Sequence, residues 1–126
     1  MTHKDVIIIG GSAAGLAVAN AGKTSYPEKS FLLLRNEEKV MVPCGIPYIF
    51  GSLNSSNQNV MPADAMYDKL GIEYRTAHVN SISRQKKTIV LETGEELGYD
   101  KLVLATGSTP KVPSWLKGAD MENIYT

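Results

Sequence analysis

The chain has 126 residues, enough for one domain with a hydrophobic core and too few for two domains of ordinary size. Its 43% apolar and 21% charged residues are typical of a globular protein, and the balance of 13 basic and 13 acidic residues argues against nucleic acid or a membrane as a partner. A single cysteine excludes an internal disulfide framework or a CxxC metal site, and it favours a reducing, cytoplasmic compartment.

The first predicted unit is a strand, a glycine turn, a helix and a second strand. The β-branched run at 6–9 is typical of a strand that is buried on both faces of a parallel sheet. The turn at 10–15 leads into a small-residue helix at 16–21, with Gly22 as its predicted C-terminal glycine. Another buried strand follows at 31–34. The unit predicts an α/β fold with a Rossmann-like parallel sheet, because such crossovers are parallel and right-handed.

The middle of the chain is predicted to be helical with one short strand. A short helix is expected from Pro43 to about Leu53, followed by a polar loop at 54–59. The next helix, 62–70, has Pro62 at its first position and Gly71 at its end, and a third short strand follows at 72–75. One face of the 62–70 helix carries its apolar residues, namely Ala63, Met66, Tyr67 and Leu70.

The residue pattern then changes to that of an antiparallel β-meander inserted into the fold. Strands are predicted at 79–83 and 88–92, and a turn at 93–95 leads toward a third. The apolar run at 102–105 predicts one further buried strand. A tail with little periodicity ends the chain.

Gly10, Ser12 and Gly15 match the dinucleotide fingerprint G-x-G-x-x-G with serine in the middle. A small residue lets pyrophosphate approach the backbone, and the helix N-terminus supplies free N–H groups and partial positive charge. The alternative is a purely structural turn. The acid that usually binds ribose is not at the end of the second strand, where Arg35 follows Leu34.

Three segments in this order resemble a known family: the glycine turn, 43-PCGIPYIFG-51 and 99-YDKLVLATGSTP-110. The chain resembles the N-terminal, FAD-binding part of the pyridine nucleotide-disulfide oxidoreductases. The similar branch has a single redox cysteine and contains NADH oxidases, coenzyme A-disulfide reductases and NADH peroxidases. The resemblance runs from Val6 to at least Pro110.

The resemblance implies FAD as the cofactor of this chain and NAD(P)H as the reductant of the full-length protein. It places the pyrophosphate at the glycine turn, the adenosine near the end of the second strand and near Val79, and the flavin close to the ATG segment. The residues so implicated are Gly10, Ser12, Ala13, Ala14, Gly15, Arg35, Asn36, Pro43, Val79, Ala105, Thr106 and Gly107.

Cys44 matches the redox-active cysteine of this family. Considered alone, a single thiol is most often an inert buried group. Dithiol members carry a second cysteine five residues later, where this chain has Ile49, so the resemblance implies a single sulfur that cycles through a sulfenic acid or a mixed disulfide. Coenzyme A-disulfide reductases have serine and asparagine where this chain has Val40 and Pro43. Oxygen, peroxide, a small disulfide and sulfur all remain open as acceptors.

Residues 1–126 are expected to be the N-terminal portion of the FAD-binding domain. The family's NAD(P)H-binding and dimerisation domains do not fit within them, so the chain is expected to be a fragment or half of a split enzyme, inactive alone, from a homodimeric protein. Two alternatives are a non-catalytic nucleotide-binding or assembly module that needs a partner chain, and a flavin reductase of the ferredoxin-reductase type. The PCGIPY segment argues against the latter. No metal site is expected.

Overall fold

The computed structural model describes residues 1–122 as a mixed α/β structure built on one six-stranded sheet. The fold class therefore agrees with the prediction. The elements in chain order are β1 (Thr2–Ile9), α1 (Ala13–Ser25), β2 (Phe31–Arg35), a first 3₁₀ helix (Pro43–Phe50), a second 3₁₀ helix (Ser56–Asn59), α2 (Ala63–Leu70), β3 (Glu73–Thr76), β4 (Val79–Ser83), β5 (Thr88–Leu91) and β6 (Glu96–Leu104).

The strand order is β3-β2-β1-β6-β5-β4, with the first four strands parallel and the last two joined antiparallel. Ile9, the last residue of β1, pairs with Leu34 of β2 on one side and with Leu104 of β6 on the other. Strand β1 therefore lies between β2, which follows it closely in the sequence, and β6, which comes last. In open α/β sheets, ligands bind outside the carboxyl ends of strands at such a point.

The predicted third meander strand and the predicted strand at 102–105 are one continuous element, β6. Its start, from Glu96 to Gly98, pairs antiparallel with β5, while most of its length pairs parallel with β1. The separate strand was wrong because Gly98 and Asp100 interrupt the apolar pattern without interrupting the backbone pairing. The prediction of a buried strand was also wrong at the C-terminal end of β6, since Leu104 is 62% exposed.

The core consists of two clusters on opposite faces of the sheet. Because neighbouring strand residues point to opposite faces, Ile7 and Ile8 belong to different clusters. On one face, α1 and α2 pack over β1 and β2 through Ala19, Tyr67 and other buried side chains. On the other face, the meander strands pack against β1 and β2; this cluster contains Ile7, Leu32, Leu34, Ile89, Leu91, Leu97 and Tyr99.

Helix α1 continues beyond the predicted end, and Gly22 lies inside it. A Cβ on Gly22 would come within 2.8 Å of the Phe31 ring, so this glycine permits close packing of helix on strand. The prediction of Gly22 as a C-terminal glycine was therefore wrong. For α2 the predicted end was right, because Gly71 adopts a left-handed φ of 66°. The predicted apolar face of α2 packs in the core.

The segment after β2 is helical in a tighter form than expected. Pro43–Phe50 is a 3₁₀ helix rather than a helix to Leu53, and Pro47 lies inside it. A proline removes an N–H donor, which disfavours a regular α-helix here. The predicted loop at 54–59 contains the second 3₁₀ helix, Ser56–Asn59, whose last residue is buried.

Asp5 in β1 is linked to the residues that precede β2. The hydroxyl and the backbone N–H of Ser30 donate to its carboxylate at 2.6 and 2.8 Å, and Lys29 Nζ donates at 3.0 Å. The Ser30 hydroxyl, then its backbone N–H, and then Lys29 hold the pKa of Asp5 well below its usual 3.8. A carboxylate with a lowered native pKa stabilises the fold above pH 3.8, and this contribution is lost as the pH falls through the native pKa.

We expect Asp5→Asn to destabilise the protein at neutral pH and to flatten its acid unfolding profile. Urea midpoints at pH 7, 4 and 2 would measure this. The difference between the variant and the unmodified protein should be largest at pH 7 and should shrink below about pH 4. Ser30→Ala, which removes the strongest donor, should change the profile in the same direction. A difference that is constant over this range would contradict the assignment.

Candidate functional site

The turn between β1 and α1 has no room for side chains at two of its glycines. Gly10 has a φ of 115°, and its N–H donates to the carbonyl of Leu34 at 2.8 Å. A Cβ on Gly10 would overlap the carbonyl oxygen of Ala105, and a Cβ on Gly15 would overlap the carbonyl oxygen of Gly10. The turn is therefore packed tightly against the segment that follows β6 and against the first turn of α1.

The N-terminus of α1 is free to interact with a ligand. Ser12 is the N-cap in extended conformation, and its side chain makes no capping hydrogen bond. The small side chains of Ala13 and Ala14 follow and are exposed. The first N–H groups of a helix have no partner within it and carry a partial positive charge, which favours phosphate.

A cavity of about 260 Å³ opens beside this turn, at the carboxyl ends of the strands. It brings together the glycine turn, the end of β2, the start of the first 3₁₀ helix and the segment after β6. The predicted residues that line it are Gly10, Ser12, Arg35, Asn36, Pro43, Ala105, Thr106 and Gly107. Sequence reasoning missed Gly11, Glu37, Val40 and Met41, which also line it.

A second cavity, of about 180 Å³, adjoins the first and shares Gly10, Asn36 and Thr106 with it. Val79, the predicted residue near adenine, lies here with Ala77 and His78. The two cavities together have the size of a small-molecule site, for which roughly 300–1,000 Å³ is typical. Predicted residues outside both linings are Ala13, Ala14, Gly15 and Cys44.

Strand β2 supplies no carboxylate to either cavity. Leu34, at the position that pairs with the end of β1, lines the second cavity. Arg35 lines the first cavity, but its guanidinium turns to α2 and pairs with both carboxylate oxygens of Asp64, with one N–O distance of 3.1 Å. The nearest carboxylate in the cavity lining is that of Glu37, two residues further on.

Arg35 is a buried cation held by two neighbours. Its side chain is 7% exposed, and the guanidinium lies 5.1 Å from the ring centroid of Tyr74. Hydrogen bonding to Asp64 raises the pKa of Arg35 above its ordinary value, although burial opposes this. The ion pair therefore connects the end of β2, which lines the first cavity, to α2.

We expect Asp64→Ala to lower the free energy of unfolding by about 2 kcal/mol, between the values for exposed and fully buried ion pairs. The loss leaves the Arg35 charge buried and unpaired, whereas Asp64 itself is half exposed. Asp68→Ala, one turn later on α2, is the matched control and should cost less than about 0.5 kcal/mol. Equal effects in urea unfolding would show that the Arg35 pair does not stabilise this region.

Cys44 is the second residue of the first 3₁₀ helix and is exposed. Its neighbour Pro43 lines the first cavity together with the glycine turn. Ile49, the residue at the position of a possible second cysteine, is partly buried. Cys44 itself lies outside the lining and follows Pro43 directly in the chain.

The segment after β6 closes the same cavity from the opposite side. The N–H of Ala105 donates to the carbonyl of Ile9 at 2.8 Å, which holds this segment against the end of β1. Thr106 lines both cavities. Gly107 has a φ of 72° and nothing within 4 Å of the Cβ position, so its backbone conformation is what favours glycine.

A glycine turn at a helix N-terminus, set beside a cavity at the switch point of a parallel sheet, defines a dinucleotide-binding protein of the Rossmann class. The family model for pyridine nucleotide-disulphide oxidoreductases matches residues 4–126. The chain belongs to this family, whose members are FAD- and NAD(P)H-dependent oxidoreductases.

Several named proteins are similar to this chain. The chain is 34% identical over 130 residues to an NAD(P)H coenzyme A polysulfide/persulfide reductase of Pyrococcus horikoshii, covering 98% of this chain and 28% of the relative. It is 29% identical to an NADH oxidase of Methanocaldococcus jannaschii, covering 94% of this chain and 28% of the relative. The structure of an NAD-dependent persulfide reductase from A. fulgidus superposes with a TM-score of 0.80 at 29% identity, covering 94% and 24% of the two chains.

The chain thus spans less than a third of the length of these relatives. Within residues 1–122, no helix combines the length and apolar character needed to cross a membrane. The same residues contain no group of three or more His, Cys, Asp or Glu side chains that could hold a metal ion.

Proposed function

We propose that this chain is the N-terminal portion of the FAD-binding domain of an NAD(P)H-dependent oxidoreductase. Electrons would pass from NAD(P)H through FAD to Cys44 and then to oxygen, peroxide, a small disulfide or sulfur. The observation that supports the proposal is the shared cavity, because it is lined by Gly10 and Ser12 of the glycine turn, by Gly107 after β6, and by Pro43, the neighbour of Cys44 in the chain. The bound flavin would supply two-electron transfer between NAD(P)H and sulfur.

The residues present fit the cofactor. Gly10 and Gly15 let the backbone of the turn pack tightly at the start of α1, and the Ser12 hydroxyl is free of a capping bond. The second cavity, with Val79 and Leu34 in its lining, offers an apolar surface for adenine. Since β2 supplies no carboxylate, Asn36 and Glu37, which follow it directly, are candidate polar side chains for the ribose.

Cys44 would act as a nucleophile and electron carrier. Its thiolate attacks an acceptor disulfide, forms a mixed disulfide and releases one thiolate. Two electrons and one proton then break the mixed disulfide, which restores the Cys44 thiolate and releases the second product as a thiol. NAD(P)H supplies the electron pair. The persulfide and polysulfide reductases among the relatives make sulfur compounds reasonable acceptors.

The wider assembly follows from the same proposal. The NAD(P)H-binding and dimerisation domains would lie in the remainder of a longer, homodimeric protein, and a reducing compartment such as the cytoplasm would keep Cys44 available. Purification of the intact protein tests the proposal: a yellow protein with flavin absorbance and about one FAD per chain is expected. A colourless protein that does not take up added FAD would favour the non-catalytic assembly module instead.

A further inference from the structure

The turn that carries Cys44 is held by the segment around the second 3₁₀ helix. The N–H of Val42 donates to the backbone carbonyl of Asn59 at 2.9 Å, and the N–H of Met61 donates to the carbonyl of Val40 at 2.7 Å. Met41 and Val60 form an isolated antiparallel bridge. The chain before Cys44 is thereby fixed in an extended conformation against residues 59–61.

The side chain of Asn59 adds a contact at the start of the helix itself. Asn59 is 5% exposed, and its Nδ2 donates to the carbonyl oxygen of Val42 at 3.0 Å. Val42 is the N-cap of the 3₁₀ helix, and its carbonyl also accepts the N–H of Gly45 at 3.0 Å. The Asn59 amide and the Gly45 N–H therefore share one acceptor, which ties Asn59 to the first turn around Cys44.

The oxygen atom of the Asn59 amide explains why a glycine follows Cys44. A Cβ on Gly45 would overlap Oδ1 of Asn59. Gly45 is not among the glycines with positive φ, so its backbone conformation does not itself require glycine. The space next to Cys44 is occupied by the Asn59 amide, and the two residues are complementary.

We propose that Asn59 is a positioning residue that fixes the turn carrying Cys44, next to Pro43 in the cavity lining. The role rests on the proposed function, in which Cys44 lies against bound FAD. Asn59 contacts Val42 and Gly45, on either side of the Pro43–Cys44 pair, so its loss should release Cys44 without altering the glycine turn.

The test is the protection of Cys44 from iodoacetamide by FAD in the intact protein, followed by peptide mass spectrometry. In the wild-type protein, FAD should slow the alkylation of Cys44 by at least about tenfold. Asn59→Ala should reduce that protection about fivefold, the effect of one lost hydrogen bond, while the Kd for FAD stays within about twofold. Asn57→Ala, an exposed asparagine on the same 3₁₀ helix, is the matched control and should retain full protection.

Asn59→Asp provides a second variant if alanine prevents folding. Its carboxylate has nearly the same size but cannot donate to Val42, so protection should fall as in Asn59→Ala. Undiminished protection in either variant would overturn the positioning role. If FAD binds but does not protect Cys44 in the unmodified protein, the proposed function fails, and the role of Asn59 fails with it.

A double variant tests the contact between the Asn59 amide and Gly45, and this test does not require FAD. Gly45→Ala alone should lower the Tm by about 5 °C or more, because its methyl group overlaps Asn59. In the Asn59→Ala background, the same change should lower the Tm by less than about 2 °C. Equal shifts in both backgrounds would contradict the contact.

Discussion

Replacing Gly15 with alanine is expected to weaken FAD binding strongly and to lower the free energy of unfolding by about 3 kcal/mol. The added methyl group would overlap the carbonyl oxygen of Gly10, which is backbone and cannot rotate away. Either α1 or the end of β1 must move. Gly10 is itself packed against the carbonyl of Ala105, so the movement would reach the segment after β6 and open the cavity.

Fluorescence titration with FAD and urea unfolding of the intact protein measure the two effects. We expect FAD affinity to fall at least about 100-fold, equivalent to about 2.7 kcal/mol. Gly51→Ala is the matched control, because Gly51 has an ordinary φ of −133° and nothing within 4 Å of its Cβ position. Normal FAD affinity in Gly15→Ala would contradict the assignment of this turn as the pyrophosphate site.

Replacing Cys44 with serine is expected to lower disulfide reduction by at least about 1,000-fold while leaving FAD affinity unchanged. Serine is close to cysteine in size, and Cys44 is exposed, so little packing is lost. Its hydroxyl cannot form or release a mixed disulfide. With oxygen as acceptor, the variant should give a different ratio of peroxide to water, since the sulfur that cycles through a sulfenic acid is gone.

Steady-state rates with a small disulfide, together with the oxygen products, measure this effect in the intact protein. Thr106→Ser is a useful companion, because it changes a residue of the same cavity by one methyl group and leaves the sulfur in place. An unchanged rate and product ratio in Cys44→Ser would remove Cys44 from the reaction. The chain would then be a flavin-binding unit without a redox sulfur.

The glycine turn was predictable because its sequence signal is local. A β-branched strand, glycines at the turn and a small-residue helix stand next to each other in the sequence. The structure contains these elements where expected, although α1 runs on to Ser25. Gly22 lies inside this longer helix, where the ring of Phe31 packs closely against it.

Features that depend on distant partners were not predictable. Strand β6 pairs with β1 along most of its length and with β5 only at its start, and a pattern of apolar residues does not report this difference in partners. Arg35 lies at the end of β2 as expected, but its pairing with Asp64 comes from the packing of α2. Asn59 sits in a polar run that favours a loop, and only its burial identifies it as a structural residue.

The central claim is that Cys44 exchanges electrons with bound FAD, and an anaerobic NADH titration tests it most directly. The intact protein would first be oxidised with a small disulfide and desalted, and flavin absorbance would then be followed as NADH is added. We predict uptake of two electron pairs per FAD in the wild-type protein and of one electron pair per FAD in Cys44→Ser. One electron pair in both proteins, or two in both, would contradict the claim.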